Sequence, residues 1–232
     1  MRAQLPLALP VGPDQRFDLF VGHDWAVGAV RAAATGDDLV LFIEGAEGSG
    51  KSHLLLAACS AAHRAGRRAR YLPVAAFAGA LASIIDGLES NDLVALDGIE
   101  AAASSRADGE ALFHLHNRLR DRRRTLLYAS RLPAGDPAWA LPDLRSRLGQ
   151  GLRVSLAALD DDGRREALRR RAARRGLELD DAVLDWLFRR VDRDLKSLTA
   201  LLDRLDRAAM SAQRKLTVPF VRSVLEQGDT LA

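Results

Sequence analysis

Residues 39–55 read LVLFIEGAEGSGKSHLL, and this stretch restricts the fold more tightly than any other. Leu39–Glu44 is a short apolar run rich in strand formers, and Gly45-x-x-x-x-Gly50-Lys51-Ser52 follows it. From Ser52 through Leu54, Leu55, Leu56 and Ala57 the pattern becomes helical. Strand, glycine-rich turn and helix start in that order form a phosphate cradle. Gly45, Gly48 and Gly50 let the backbone curl until successive N–H groups face one anion, and the helix N-terminus adds partial positive charge there. In this reading Lys51 reaches the terminal phosphates of a nucleotide, the Ser52 hydroxyl serves as a Mg²⁺ ligand, and His53 completes the nucleotide-facing set. The alternative is an ordinary glycine turn with a chance lysine. Composition argues against chance: of 34 Lys+Arg, only Lys51, Lys196 and Lys215 are lysines.

The 232 residues suffice for one large domain or two small ones. No apolar run approaches the ~18 residues of a membrane span, and MRAQLPLALP is too short in its apolar part for a secretory signal. Cys59 is the single cysteine, which excludes an intrachain disulfide and a thiolate metal cluster. It reads as a small buried apolar residue on the helix after the glycine turn, and a reducing, cytoplasmic setting fits. A net charge of +3 is too mild to imply DNA binding.

Further along, Asp24–Ala34 reads as a helix, Arg70–Val74 as a strand and Phe77–Leu88 as apolar at helical spacing. Phe17, Phe20 and Val21 either wall an adenine or cap the core. Leu93–Asp97 is wholly apolar until its final carboxylate, the pattern of a buried parallel strand. An acid at that end is placed to hold Mg²⁺ through water. Gly98 follows it, and Glu100 lies two residues on, a register that need not aim it at the loop. Glu110–Arg123 is a helix ending in RLRDRRR, Thr125–Ser130 a fourth strand, Leu144–Leu148 a short helix and Leu152–Leu156 a fifth strand. From Asp160 the chain is helical, with helices expected near 160–175, 181–190, 194–212 and 217–225. The first carries seven arginines, which read as a solvated face. The architecture expected is α/β, a five-stranded parallel sheet with flanking helices over 16–157, then a small all-helical lid over 158–232. Residues 1–15 form an arm holding Gln4-Leu5-Pro6-Leu7-Ala8-Leu9, a polar head and leucines suited to docking extended in an apolar groove.

These motifs together resemble the AAA+ class. The segment Leu144-Arg145-Ser146-Arg147-Leu148-Gly149-Gln150-Gly151-Leu152 is similar to the box VII region of the DnaA replication initiators. Asp206-Arg207-Ala208 and Ala212 through Val221 look more like Hda, the DnaA-related regulatory inactivators. The resemblance implies that Arg147 is an arginine finger acting on the nucleotide of a neighbouring subunit. It implies Ser130 as sensor 1, Lys196 as sensor 2 in place of arginine, and ADP or ATP with Mg²⁺, held by Ser52 and Asp97, as cofactors. Gln4, Leu5, Leu7 and Leu9 fall where Hda proteins carry the peptide that binds the β subunit sliding clamp of DNA polymerase III. DnaA and that clamp are the implied partners, with homo-oligomerisation possible, DNA met only through the clamp and no membrane contact. DnaA continues into a helix-turn-helix domain, whereas this sequence ends at Ala232, so no DNA-reading domain is expected. Lysine at 196 loses the bidentate fork of arginine. Gly98 stands where an asparagine or acid is usual, and Ser130 where aspartate is frequent. The implied activity is therefore stimulation of hydrolysis in DnaA, with weak turnover of its own; a free-standing P-loop ATPase or helicase-loading factor is the alternative.

Overall fold

A strand buried on both faces must be apolar at every position, and Leu93–Leu96 and Leu126–Ala129 satisfy that demand. The computed structural model describes residues 15–191 and 194–228; the side chains of 196, 227 and 228 are outside that description. A 3₁₀ turn at Phe17–Leu19 leads to α1 (Asp24–Thr35), β1 (Val40–Gly45), α2 (Lys51–Arg64) and β2 (Ala69–Pro73). Then come α3 (Leu81–Ile84), β3 (Leu93–Asp97), α4 (Arg106–Asp121), β4 (Thr125–Ser130), α5 (Pro142–Leu148) and β5 (Leu152–Leu156). The strands form one parallel sheet in the order β2-β3-β4-β1-β5.

Side chains alternate along each strand and divide the core in two. Leu41 and Ile43, Leu93 and Ala95, and Leu127 and Ala129 pack with α1 and α2. Phe42, Val94 and Leu96, and Leu126 and Tyr128 pack with α3, α4 and α5 on the other face. Cys59 lies inside the first cluster, and burial pushes its thiol up to about 12.

The expected helix over Phe77–Leu88 is not continuous. A 3₁₀ turn at Val74–Phe77, the four residues of α3 and a second 3₁₀ turn at Leu88–Ser90 take its place. Gly79 and Gly87 stand between them at φ +82° and +79°, conformations that end a right-handed helix. The buried Asp108 carboxylate accepts the N–H groups of Gly79 at 2.6 Å and Leu81 at 3.3 Å, holding the break open. Apolar spacing survives because Leu81, Ile85 and Leu88 still face the core. Helix α4 starts four residues earlier than its apolar stripe, because Ser105 caps it by accepting from Asp108 N at 3.2 Å.

The chain divides after Ala158 into a second compact unit. It contains α6 (Asp161–Arg174), α7 (Asp181–Arg190), α8 (Leu195–Ala212) and α9 (Val218–Gly228). Asp160, Asp180 and Asp194 cap the first three by accepting from Gly163 N, Val183 N and Ser197 N at 2.8–2.9 Å. Leu168, Leu184, Leu187, Phe188, Leu198, Leu202 and Val221 fill its core. The arginines of α6 are mostly engaged within this unit: Arg165 with Asp185, Arg169 with Asp181, Arg170 with Glu166, and Arg175 with Asp203.

Candidate nucleotide site

Gly45 closes β1 against β5, and a Cβ on it would meet Leu156 O at 2.4 Å and Ser49 Oγ at 2.7 Å. Gly48 and Gly50 adopt φ +77° and +96°, left-handed conformations that favour glycine. Lys51 opens α2 with its side chain folded back over the loop. Its Nζ donates to Gly45 O and Ala46 O, both at 2.7 Å. Burial lowers its pKa, opposed first by Glu100 and then by Asp97. A curled loop with an ammonium across its mouth is the shape a phosphate chain needs, and the residues fit one.

The carboxylate end of β3 completes the floor. Asp97 Oδ2 accepts a 2.5 Å hydrogen bond from Tyr71 Oη on β2. Burial, reinforced by the bond to Asp97, keeps the phenol well above its ordinary pKa and therefore protonated. Ser52 in the first turn of α2 and Asp97 at the end of β3 are a hydroxyl and a carboxylate of the kind a magnesium ion takes.

Gly98 sits at φ +68°, and Glu100 on the following 3₁₀ turn carries the nearby negative charge. Contrary to its unpromising register, Glu100 is the foremost acidic neighbour of Lys51. Its carboxylate accepts from Arg131 Nε at 2.8 Å and Arg131 N at 3.2 Å. Arg131 also faces Glu47 of the loop at 3.7 Å.

The remaining candidates separate. Ser130 is fully buried at the end of β4, and its Oγ accepts from Leu132 N at 2.9 Å. Phe20 lies on Gly50, where a Cβ would meet its ring at 2.7 Å, and it contacts His53 edge to face. His53 Nε2 pairs with Arg16 O at 2.7 Å and ties the entering chain to α2. Val21 is half-buried beside them. Phe17 instead belongs to the core, with the Arg31 guanidinium 5.2 Å from its ring. Arg147, on α5, packs over Phe113 at 5.9 Å and donates to Gln150 Oε1 at 3.3 Å. Lys196 is on α8 with its side chain outside the description, and Gln4, Leu5, Leu7 and Leu9 precede the described residues. Sequence reasoning missed Tyr71, Arg131 and Glu47. A phenol in the middle of β2, and an arginine directly after Ser130, were the available signals.

Residues 161–225 match the family described as "Hda, lid domain". Among solved structures, domain III of the Thermotoga maritima initiator DnaA superposes with a TM-score of 0.76 at 22% identity, covering 94% of this chain and 98% of that one. A DnaA bound to AMPPCP and single-stranded DNA gives 0.71 at 24% identity, covering 84% of this chain and 65% of that one. The Thermotoga maritima RuvB Holliday junction branch migration motor gives 0.65 at 20% identity, covering 93% and 72%. This chain spans slightly less than two thirds of the DnaA bound to AMPPCP and single-stranded DNA. No helix among the described residues is long and apolar enough to cross a membrane. Residues 161–225 therefore match a lid domain of the Hda family, and the core before them has the fold of DnaA domain III.

Proposed function

We propose that this protein is a nucleotide-bound regulator that docks on the DNA-loaded sliding clamp and stimulates hydrolysis of ATP held by DnaA. The observation that carries the reading is the Hda lid match over residues 161–225. A DnaA of the same fold binds AMPPCP, and the loop at 45–52 has the glycine geometry and lysine for the same class of ligand. ADP or ATP would bring a phosphate chain to that loop, and Mg²⁺ would be held by Ser52 and Asp97. Lys51 supplies the charge, Phe20 covers Gly50, and the main-chain N–H groups orient the phosphates.

Arg147 is the residue assigned to the partner's nucleotide. Its own-subunit contacts are a ring stack and one long hydrogen bond, so redirecting it costs little. A guanidinium aimed at developing phosphate charge accelerates phosphoryl transfer by ~10³–10⁵ in finger-dependent systems. Residues 4–9 supply the clamp-docking peptide.

One observation favours a second reading, a free-standing ATPase: the Glu100 charge acts on Lys51 more strongly than that of any other acid, despite the glycine at 98. One reconstitution separates the two. DnaA-bound ATP is followed with clamp, DNA and either wild type, Arg147→Ala or Arg145→Ala, alongside this protein alone. The expected result is stimulation by wild type and Arg145→Ala, and loss with Arg147→Ala while ADP affinity is kept. Full stimulation by Arg147→Ala discards the finger. Turnover near one per second by the isolated protein, within the ordinary enzyme range, favours the free-standing enzyme.

A further inference from the structure

Tyr71 touches the carboxylate assigned to the metal. Its ring packs on the α2 face of the sheet, opposite Ala95, and the next residue of β3 on that face is Asp97. From there the hydroxyl donates to Asp97 Oδ2 at 2.5 Å.

We infer that the Tyr71 hydroxyl stands in for a metal-bound water at Asp97, and so makes nucleotide binding by this protein only weakly dependent on magnesium. The inference rests on the nucleotide reading above, with Ser52 and Asp97 as the magnesium-facing pair. Magnesium requires near-octahedral oxygen ligands at about 2.0–2.1 Å and keeps several of its waters. A carboxylate behind such an ion receives O–H bonds from those waters. The phenol delivers that bond itself. A metal-bound water that needs the same Asp97 oxygen must displace a charge-assisted hydrogen bond, which weakens the hold on the ion by about tenfold or more. Retention of nucleotide without tight metal coordination suits a regulator that keeps its own ligand uncleaved while acting on a partner's. Tyr71 is a positioning residue here, acting through Asp97.

The test is Tyr71→Phe, which keeps the ring and its packing and deletes only the hydroxyl. Fluorescent ADP is titrated into wild type and variant, each in excess magnesium and in EDTA. The expected result is that the EDTA-to-magnesium ratio of dissociation constants is about tenfold larger in the variant. A second readout is Mn²⁺ titration of the ADP complex by electron paramagnetic resonance, where the variant should bind the ion about tenfold more tightly. An unchanged ratio overturns the inference. So does an equal loss of ADP affinity in both media, which would make the hydroxyl a clasp between β2 and β3 and nothing more. If wild type binds no ADP in either medium, the nucleotide reading itself fails and takes this inference with it.

Discussion

His116 links the platform beneath Arg147 to the stability of the core. It lies on α4 at 3% exposure, stacked on Tyr128, with Nδ1 3.1 Å from the Tyr128 hydroxyl. Burial, with the Arg147 and Arg120 charges added, lowers its pKa from 6.5 to about 4. The fold thus favours neutral imidazole. Its contribution is complete above about pH 6.5 and is lost as pH falls through that value towards 4, where the unfolded chain takes up a proton that the folded chain refuses. Linkage with those two values gives a loss of about 2 kcal/mol at pH 5 and about 3 kcal/mol by pH 4. His116→Gln keeps a hydrogen-bonding amide near Tyr128 and does not titrate. Urea unfolding of both proteins across pH 7.5 to 5 isolates this residue, because other titrating groups are common to the pair. Wild type should lose about 2 kcal/mol more than the variant over that range. A wild-type-to-variant difference that stays constant with pH would refute the reasoning. Arg147→Ala removes the nearer-ranked of the two cations, so it should raise the His116 pKa seen by NMR even if the finger acts only in trans.

Two further outcomes follow from the site and the arm. Lys51→Ala removes the ammonium across the loop mouth and should lower ADP affinity by about a hundredfold or more, the scale of losing charge-assisted contacts to phosphate; calorimetry showing unchanged affinity would remove the nucleotide site. Alanine at both Gln4 and Leu5 should abolish capture by immobilised clamp while leaving the melting temperature where it was, because a terminal arm contributes little to a core; capture that survives would reassign the segment.

Much of the sheet was legible because its strands carry their own punctuation. Leu93–Asp97 and Thr125–Ser130 bracket apolar runs, and Leu152–Leu156 alternates apolar and polar residues. The phosphate loop was legible for the same reason, since its glycines, lysine and serine are contiguous. The break at 77–88 was not, because Leu81, Ile85 and Leu88 have helical spacing whether or not the backbone between them is helical. Asp108, which holds the break, is more than twenty residues away in sequence. Tyr71 and Arg131 were hidden by topology. Their roles depend on β2 lying beside β3 and β3 beside β4, an order that strand patterns do not encode.

That topology also bears on Gly98. Its left-handed backbone costs an ordinary side chain about 1 kcal/mol or more, and its N–H is fixed to Ala129 O at 3.0 Å on the neighbouring strand. No heavy atom lies within 4 Å of the place a Cβ would occupy, so conformation, not space, favours glycine there. The acid that follows is Glu100, on the short turn after Gly98. There it is occupied, bonded twice by Arg131. Arg131 is itself more than half exposed and shared with Glu47, so solvent screens the pair and leaves it free to exchange partners. An arriving phosphate chain competes with Glu47 and Glu100 for that guanidinium. If Arg131 turns to phosphate, Glu100 is released beside Lys51, and the site gains an acid near the bond to be cut. If Arg131 stays on Glu100, the acid remains neutralised and the bound nucleotide persists. On the function proposed above, the exposed Arg131–Glu100 ion pair next to Ser130, more than the glycine at 98, decides whether a bound nucleotide is kept.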